Sequence, residues 1–98
     1  MAPGDEDVDV VRDRRRDFGE YIVRVRVLRV PESEQFPEGI KYGFHYGRKG
    51  EENPILRYDN HHGVHERHQG DDVEEIDFPG YESLLRRFIR ELPDDVSP

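Results

Sequence analysis

The sequence has no cysteine, no tryptophan and a single methionine. Without cysteine there are neither disulfides nor thiolate metal centres. No apolar run approaches the roughly 18 residues of a membrane-spanning helix. The start, MAPGDEDVDV, is acidic and reads as neither a signal nor a transit peptide. The expected location is therefore cytoplasmic, with no membrane partner. Lysine is also scarce: Lys41 and Lys49 stand beside thirteen arginines. With a net charge of -8, this composition points to halophilic adaptation. High salt screens exposed charge over short distances, which weakens acidity as an argument against a nucleic-acid partner. Apolar residues make up 33% of 98 residues, enough for one small domain with a modest core.

The apolar residues are concentrated in a few segments. Tyr21–Val30 (YIVRVRVLRV) is rich in β-branched residues and alternates. Tyr21, Val23, Val25 and Val27 share one face; Ile22, Arg24, Arg26 and Leu28 share the other. Pro31 ends it. Ile40–Gly47 (IKYGFHYG) is a second strand, with Ile40, Tyr42, Phe44 and Tyr46 opposite Lys41, Gly43 and His45. Pro54–Asn60 is a third, with Leu56 and Tyr58 opposite Ile55, Arg57 and Asp59. HERHQ is a candidate fourth strand and VEEIDF a candidate fifth. Residues 1–17 read as a flexible charged tail or a loosely paired edge strand, because RDRRRD has mixed sign and no apolar face.

After Pro79-Gly80, the residues Tyr81, Leu84, Leu85, Phe88, Ile89 and Leu92 form the stripe of an amphipathic helix, which Pro93 stops. Residues 94–98 read as a tail. The short connections predict an antiparallel meander. The expected fold is thus a single α+β domain over residues 18–93, with a four- to five-stranded sheet and one C-terminal helix packed on one face. The valine and aromatic face must lie under the helix, since no other large apolar surface exists. The opposite face would then present Arg24, Arg26, Lys41, His45, Arg57 and Asp59 to solvent.

Four of the five histidines lie in RYDNHHGVHERHQG, Arg57–Gly70. Histidine titrates near neutrality, so a pair can supply one base and one acid at the same pH. Cleavage of RNA by its own 2′-hydroxyl needs that pair, together with a cation for the charge that grows on phosphate. His65, His68, Arg57 and Arg67 supply those groups, and Asp59 can orient a histidine. A metal site is the alternative, with His61, His62, His65 and His68 as nitrogen ligands. On a strand, however, His65 and His68 fall on opposite faces. The remaining alternative is a solvated hairpin in which Asp59 or Asn60 makes an Asx turn.

The order VLRVPES, IKYGFHYG, ILRYDN, a glycine-containing turn, ERHQG, an acidic segment and FPGYESLLRRFIREL resembles the TumE-type toxin family. Members of that family carry a W-x-VP segment, a K-Y-x-x-x-Y strand, a G-Y-D-N motif, a short glycine turn, a D-H-R-H-x-G motif and a closing helix of L-L-x-x-F type. Val30-Pro31, Lys41, Tyr42, Tyr46, Tyr58-Asp59-Asn60, Arg67, His68, Gly70, Leu84, Leu85 and Phe88 match those patterns. The likeness covers about residues 25–92. Arg57 stands where the family has glycine, the turn is one residue shorter, and Glu66 replaces the first histidine of the motif.

The resemblance implies the toxin of a toxin–antitoxin pair, with a helix-turn-helix antitoxin as partner and RNA as a candidate target. Together with the residue chemistry it predicts a metal-independent endoribonuclease without cofactors. His68 would be acid or base, with His65 or His45 as the other. Arg57 and Arg67 would hold phosphate beside Asp59, and Arg24, Arg26, Lys41 and Asn60 would bind substrate. A homodimer is among the expected assemblies. The rival expectation is a non-catalytic protein-binding module, or an inactive toxin homologue, that docks to the helix-turn-helix partner.

Overall fold

The computed structural model describes residues 8–98. Six strands follow one another in sequence order across a single antiparallel sheet. They are β1 (Asp9–Phe18), β2 (Tyr21–Arg29), β3 (Ile40–Arg48), β4 (Leu56–Asp59), β5 (Glu66–Gln69) and β6 (Asp72–Glu75). One helix, α1 (Tyr81–Glu91), closes the fold. The expected α+β meander is the observed one, with one strand more than predicted.

That extra strand is β1. Of the seventeen residues read as a tail or edge strand, Asp9–Asp17 are paired with β2, while residues 1–7 lie outside the described part. The tail reading is corrected for this stretch. A two-residue turn joins β1 to β2, and Gly19 adopts the φ of 66° that such hairpins require. Alternation conceals the strand: Arg12, Arg14 and Arg16 stand opposite Val27, Val25 and Val23, so arginines occupy the side where apolar residues would signal a strand.

The core lies as the periodicity requires. Val23, Val25, Val27, Tyr42, Phe44, Tyr46, Leu56 and Tyr58 are buried, as are Leu84, Leu85, Phe88 and Leu92 from the helix side. Ile89, expected in the helix stripe, is exposed. Residues 94–98 are not simply a tail, because Val96 is buried with this core. At Tyr58 and Phe88 the rings meet edge to face, with centroids 5.7 Å apart.

Candidate functional site

Side chains opposite one another in an antiparallel pair share a face, so the register assigns each candidate to a side. Arg15, Arg24, His45, Arg57, His68 and Val73 form one continuous row across all six strands on the face away from the helix. The row beside it runs Asp13, Arg26, Gly43, Asp59, Glu66 and Glu75. The structure therefore brings His45, Arg57 and His68 together, with Arg24 and Arg26 on one flank and Asp59 on the other. Lys41 lies on the same face, beyond Gly43.

Asp59 is 4% exposed and organises this centre. Its Oδ2 accepts from Arg57 Nε at 2.8 Å, and its Oδ1 accepts from the His61 backbone N–H at 3.3 Å. The Asx turn expected from the sequence is thus present, and the same carboxylate aims the Arg57 guanidinium. His68 Nε2 lies 3.6 Å from Asp59 Oδ2 and 3.7 Å from Glu66 Oε1, within ion-pair reach of both. Burial, and then the neighbouring Arg57 charge, push His45 below its ordinary value of 6.5, so it is held neutral near pH 7.

Two expected members of the centre lie on the other side of the sheet. Arg67 stands opposite Tyr58, whose ring is in the core. Its guanidinium reaches Glu91 on α1 at 3.1 Å and Glu74 on β6 at 3.3 Å, so it ties the helix to the sheet. His65 also turns inward. Its Nδ1 is 2.9 Å from the Tyr42 hydroxyl, and its ring stacks on Phe78 with centroids 4.3 Å apart. His45, not His65, is therefore the histidine that accompanies His68.

Asn60 is fully engaged elsewhere. Its amide donates to the Ile40 carbonyl at 2.7 Å and its oxygen accepts from the Tyr42 N–H at 3.0 Å, which pins the end of β4 to the start of β3. At 1% exposed, its side chain is out of a substrate's reach.

The four-histidine metal alternative is dispersed. His61 sits at the rim of the open face, His62 is exposed in the turn, His65 faces the helix side and His68 the open side. A different trio could hold a divalent ion: Asp59, Glu66 and His68 place one ligand atom each within 4.8 Å of one another. Sequence reasoning missed Glu66, which the register reveals as the open-face partner of Asp59. His61, a metal-ligand candidate in the sequence, instead meets the open-face centre, its Nε2 3.2 Å from Arg57 Nη2. The Asp59 carboxylate holds the His61 N–H, and Gln35, which donates to the His61 carbonyl at 2.9 Å, adds a link between segments distant in sequence.

The comparisons with known proteins agree with this arrangement of motifs. Residues 4–96 match the family described as Toxin TumE, nearly the whole chain. The chain belongs to the TumE toxin family. No curated protein and no solved structure matches it. The TumE signatures noted above fall on structurally distinct places. The Tyr58-Asp59-Asn60 motif supplies a core ring, the Arg57 anchor and the β3–β4 staple. The Arg67-His68 pair straddles the sheet, one residue per face. Among the described residues, no helix is long and apolar enough to cross a membrane.

Proposed function

We propose that this TumE-family toxin cleaves RNA on its open sheet face without a metal. What supports the reading is the cross-strand row His45–Arg57–His68. Two histidines stand across from Arg57 on the neighbouring strands, their Cα atoms about 10 Å apart from two strand spacings. Farther along the same row Arg15 and Arg24 set two cations directly opposite each other, which destabilises a sheet and favours an anion over it.

In this reading a phosphodiester lies over Arg57, which neutralises the charge that grows on the non-bridging oxygens. His45, held neutral, takes the proton of the 2′-hydroxyl. The 2′-oxygen forms a bond to phosphorus as the bond to the 5′-oxygen breaks. His68 gives its proton to that leaving oxygen. The products are a 2′,3′-cyclic phosphate and a 5′-hydroxyl, and the two histidines exchange protons with water to reset. Exposed Ile55 and Val73 border the row and offer an apolar surface for ribose or base. A helix-turn-helix antitoxin that covered this face would silence it.

His68→Ala tests the reading in a growth assay and in RNA cleavage by purified protein with chelator present. Loss of both toxicity and cleavage is expected. Retained toxicity would remove His68 from the mechanism. A second reading rests on the Asp59–Glu66–His68 trio, which would bind a divalent ion and activate water. Cleavage that disappears with chelator and returns with zinc or manganese selects it.

A further inference from the structure

The open face carries a concavity beside the proposed reaction centre. Its volume is about 220 Å³, and Arg24, Arg26, Lys41, His45, Arg57 and His61 stand around Gly43. Gly43 matters here for the side chain it lacks. A Cβ at this position would lie 3.1 Å from Arg57 Nη2 and 3.3 Å from His61 Nε2. Glycine lets both groups settle close to the sheet and form the wall of a cup.

The charge balance of the cup is strongly positive, in a chain whose net charge is -8. Arg57 commits its Nε to Asp59 and turns Nη2 toward His61. The remaining acid is Asp13, 40% exposed, at 3.5 Å from Arg24 and 3.8 Å from Arg26. Exposed pairs of this kind contribute little and give way to a better anion. Burial is the main influence that lowers His61 below its ordinary 6.5, so in the free protein its Nε2 can accept from Arg57.

Size narrows the ligand. The volume is below the roughly 300 Å³ at which pockets begin to enclose drug-sized molecules, which suits a phosphate and the sugar atoms next to it. Position narrows it further. Gly43 is two strands across and two residues along from His68, roughly 12 Å by strand spacing and rise. Arg26 and Lys41 lie on the far side of Gly43 from His68, so a phosphate that they hold is not the one over Arg57.

We infer that the cup over Gly43 anchors a non-scissile phosphate group next to the scissile one, gripped by Arg24, Arg26 and Lys41. That this phosphate belongs to RNA rests on the reading above; recognition of the phosphate itself does not. Backbone N–H spectra of the full chain, titrated with inorganic phosphate, adenosine 5′-monophosphate and adenosine, test it. Both phosphates should shift Gly43 and His61 saturably, and adenosine should not. Gly43→Val, which fills the cup, and Arg26→Glu, which reverses one wall charge without touching the core, should each weaken binding at least tenfold. His68→Ala should bind as the parent does. The inference fails if the parent shows no saturable shift, if both cup variants bind normally, or if His68→Ala loses binding to the same extent. RNA cleavage by the same preparations separates the two claims. Cleavage without phosphate binding overturns the cup alone, whereas phosphate binding without cleavage supports the cup and removes the enzymatic reading.

Discussion

Asp59 holds Arg57 by a 2.8 Å charge-assisted hydrogen bond between neighbours on one strand face. The carboxylate is 6% exposed and the guanidinium 28%, so the pair is only partly screened. Asp59→Ala removes the acceptor and the Asx turn together. It should cost about 2–3 kcal/mol, read by chemical denaturation, because Arg57 keeps its charge and loses its partner. Cleavage should fall even where the variant remains folded, since Arg57 is no longer aimed.

Asn60 predicts a purely structural loss. It is 1% exposed and satisfies the Tyr42 N–H and the Ile40 carbonyl. Asn60→Ala should destabilise by roughly 2–4 kcal/mol, through two buried backbone groups left without partners. Phosphate affinity, measured well below the melting temperature, should stay within twofold of the parent.

Arg67 and Tyr58 converge on one carboxylate of the helix. Tyr58 donates to Glu91 Oε2 at 2.6 Å and Arg67 at 3.1 Å. Burial first, then the Glu91 bond, push the Tyr58 hydroxyl up to about 12, which keeps it a donor at every physiological pH. Arg67→Ala should lower stability by about 1–2 kcal/mol and leave cleavage per folded molecule unchanged. A large loss of cleavage with normal stability would return Arg67 to the reaction.

Acid should weaken the fold through His45 and His61. Both are lowered in the native state, so the unfolded chain binds their protons more readily. Stability from this source is complete above pH 6.5 and is lost as pH falls from there through the native values. His45→Gln with His61→Gln should flatten the dependence of the denaturation midpoint on pH in that window.

Salt should report the number of phosphate contacts. Four permanent cations, Arg24, Arg26, Lys41 and Arg57, surround the cup. For single-stranded RNA the logarithm of affinity should fall with the logarithm of salt at a slope of about -3. Arg26→Ala should reduce that slope by about 0.7. Identical slopes for the two proteins would mean that Arg26 meets no phosphate.

The fold was legible wherever one residue in two met the core. Val23, Val25 and Val27 on β2 and Tyr42, Phe44 and Tyr46 on β3 announced both strand and face, and Leu84, Leu85 and Phe88 announced the helix. β1 was obscured because its helix-side positions are Arg12, Arg14 and Arg16. The open-face residues Arg24, His45, Arg57 and Asp59 followed from parity alone. His65 and Arg67 escaped that logic, since the sides of β5 depend on its pairing with β4, and residue type does not reveal it. The place of His61 escaped because it is set by Asp59, by Gln35 and by the absent side chain of Gly43.

Only four residues long, β5 carries His68 and Glu66 outward and Arg67 inward to α1. Inserting one amino acid between Glu66 and Arg67 would exchange the two sides of the strand downstream of it, unhitching the helix clamp and withdrawing the imidazole in a single event. Inserting two would restore the original order. Length variation within this segment should therefore be permitted only in even steps, or where a bulge absorbs the odd residue.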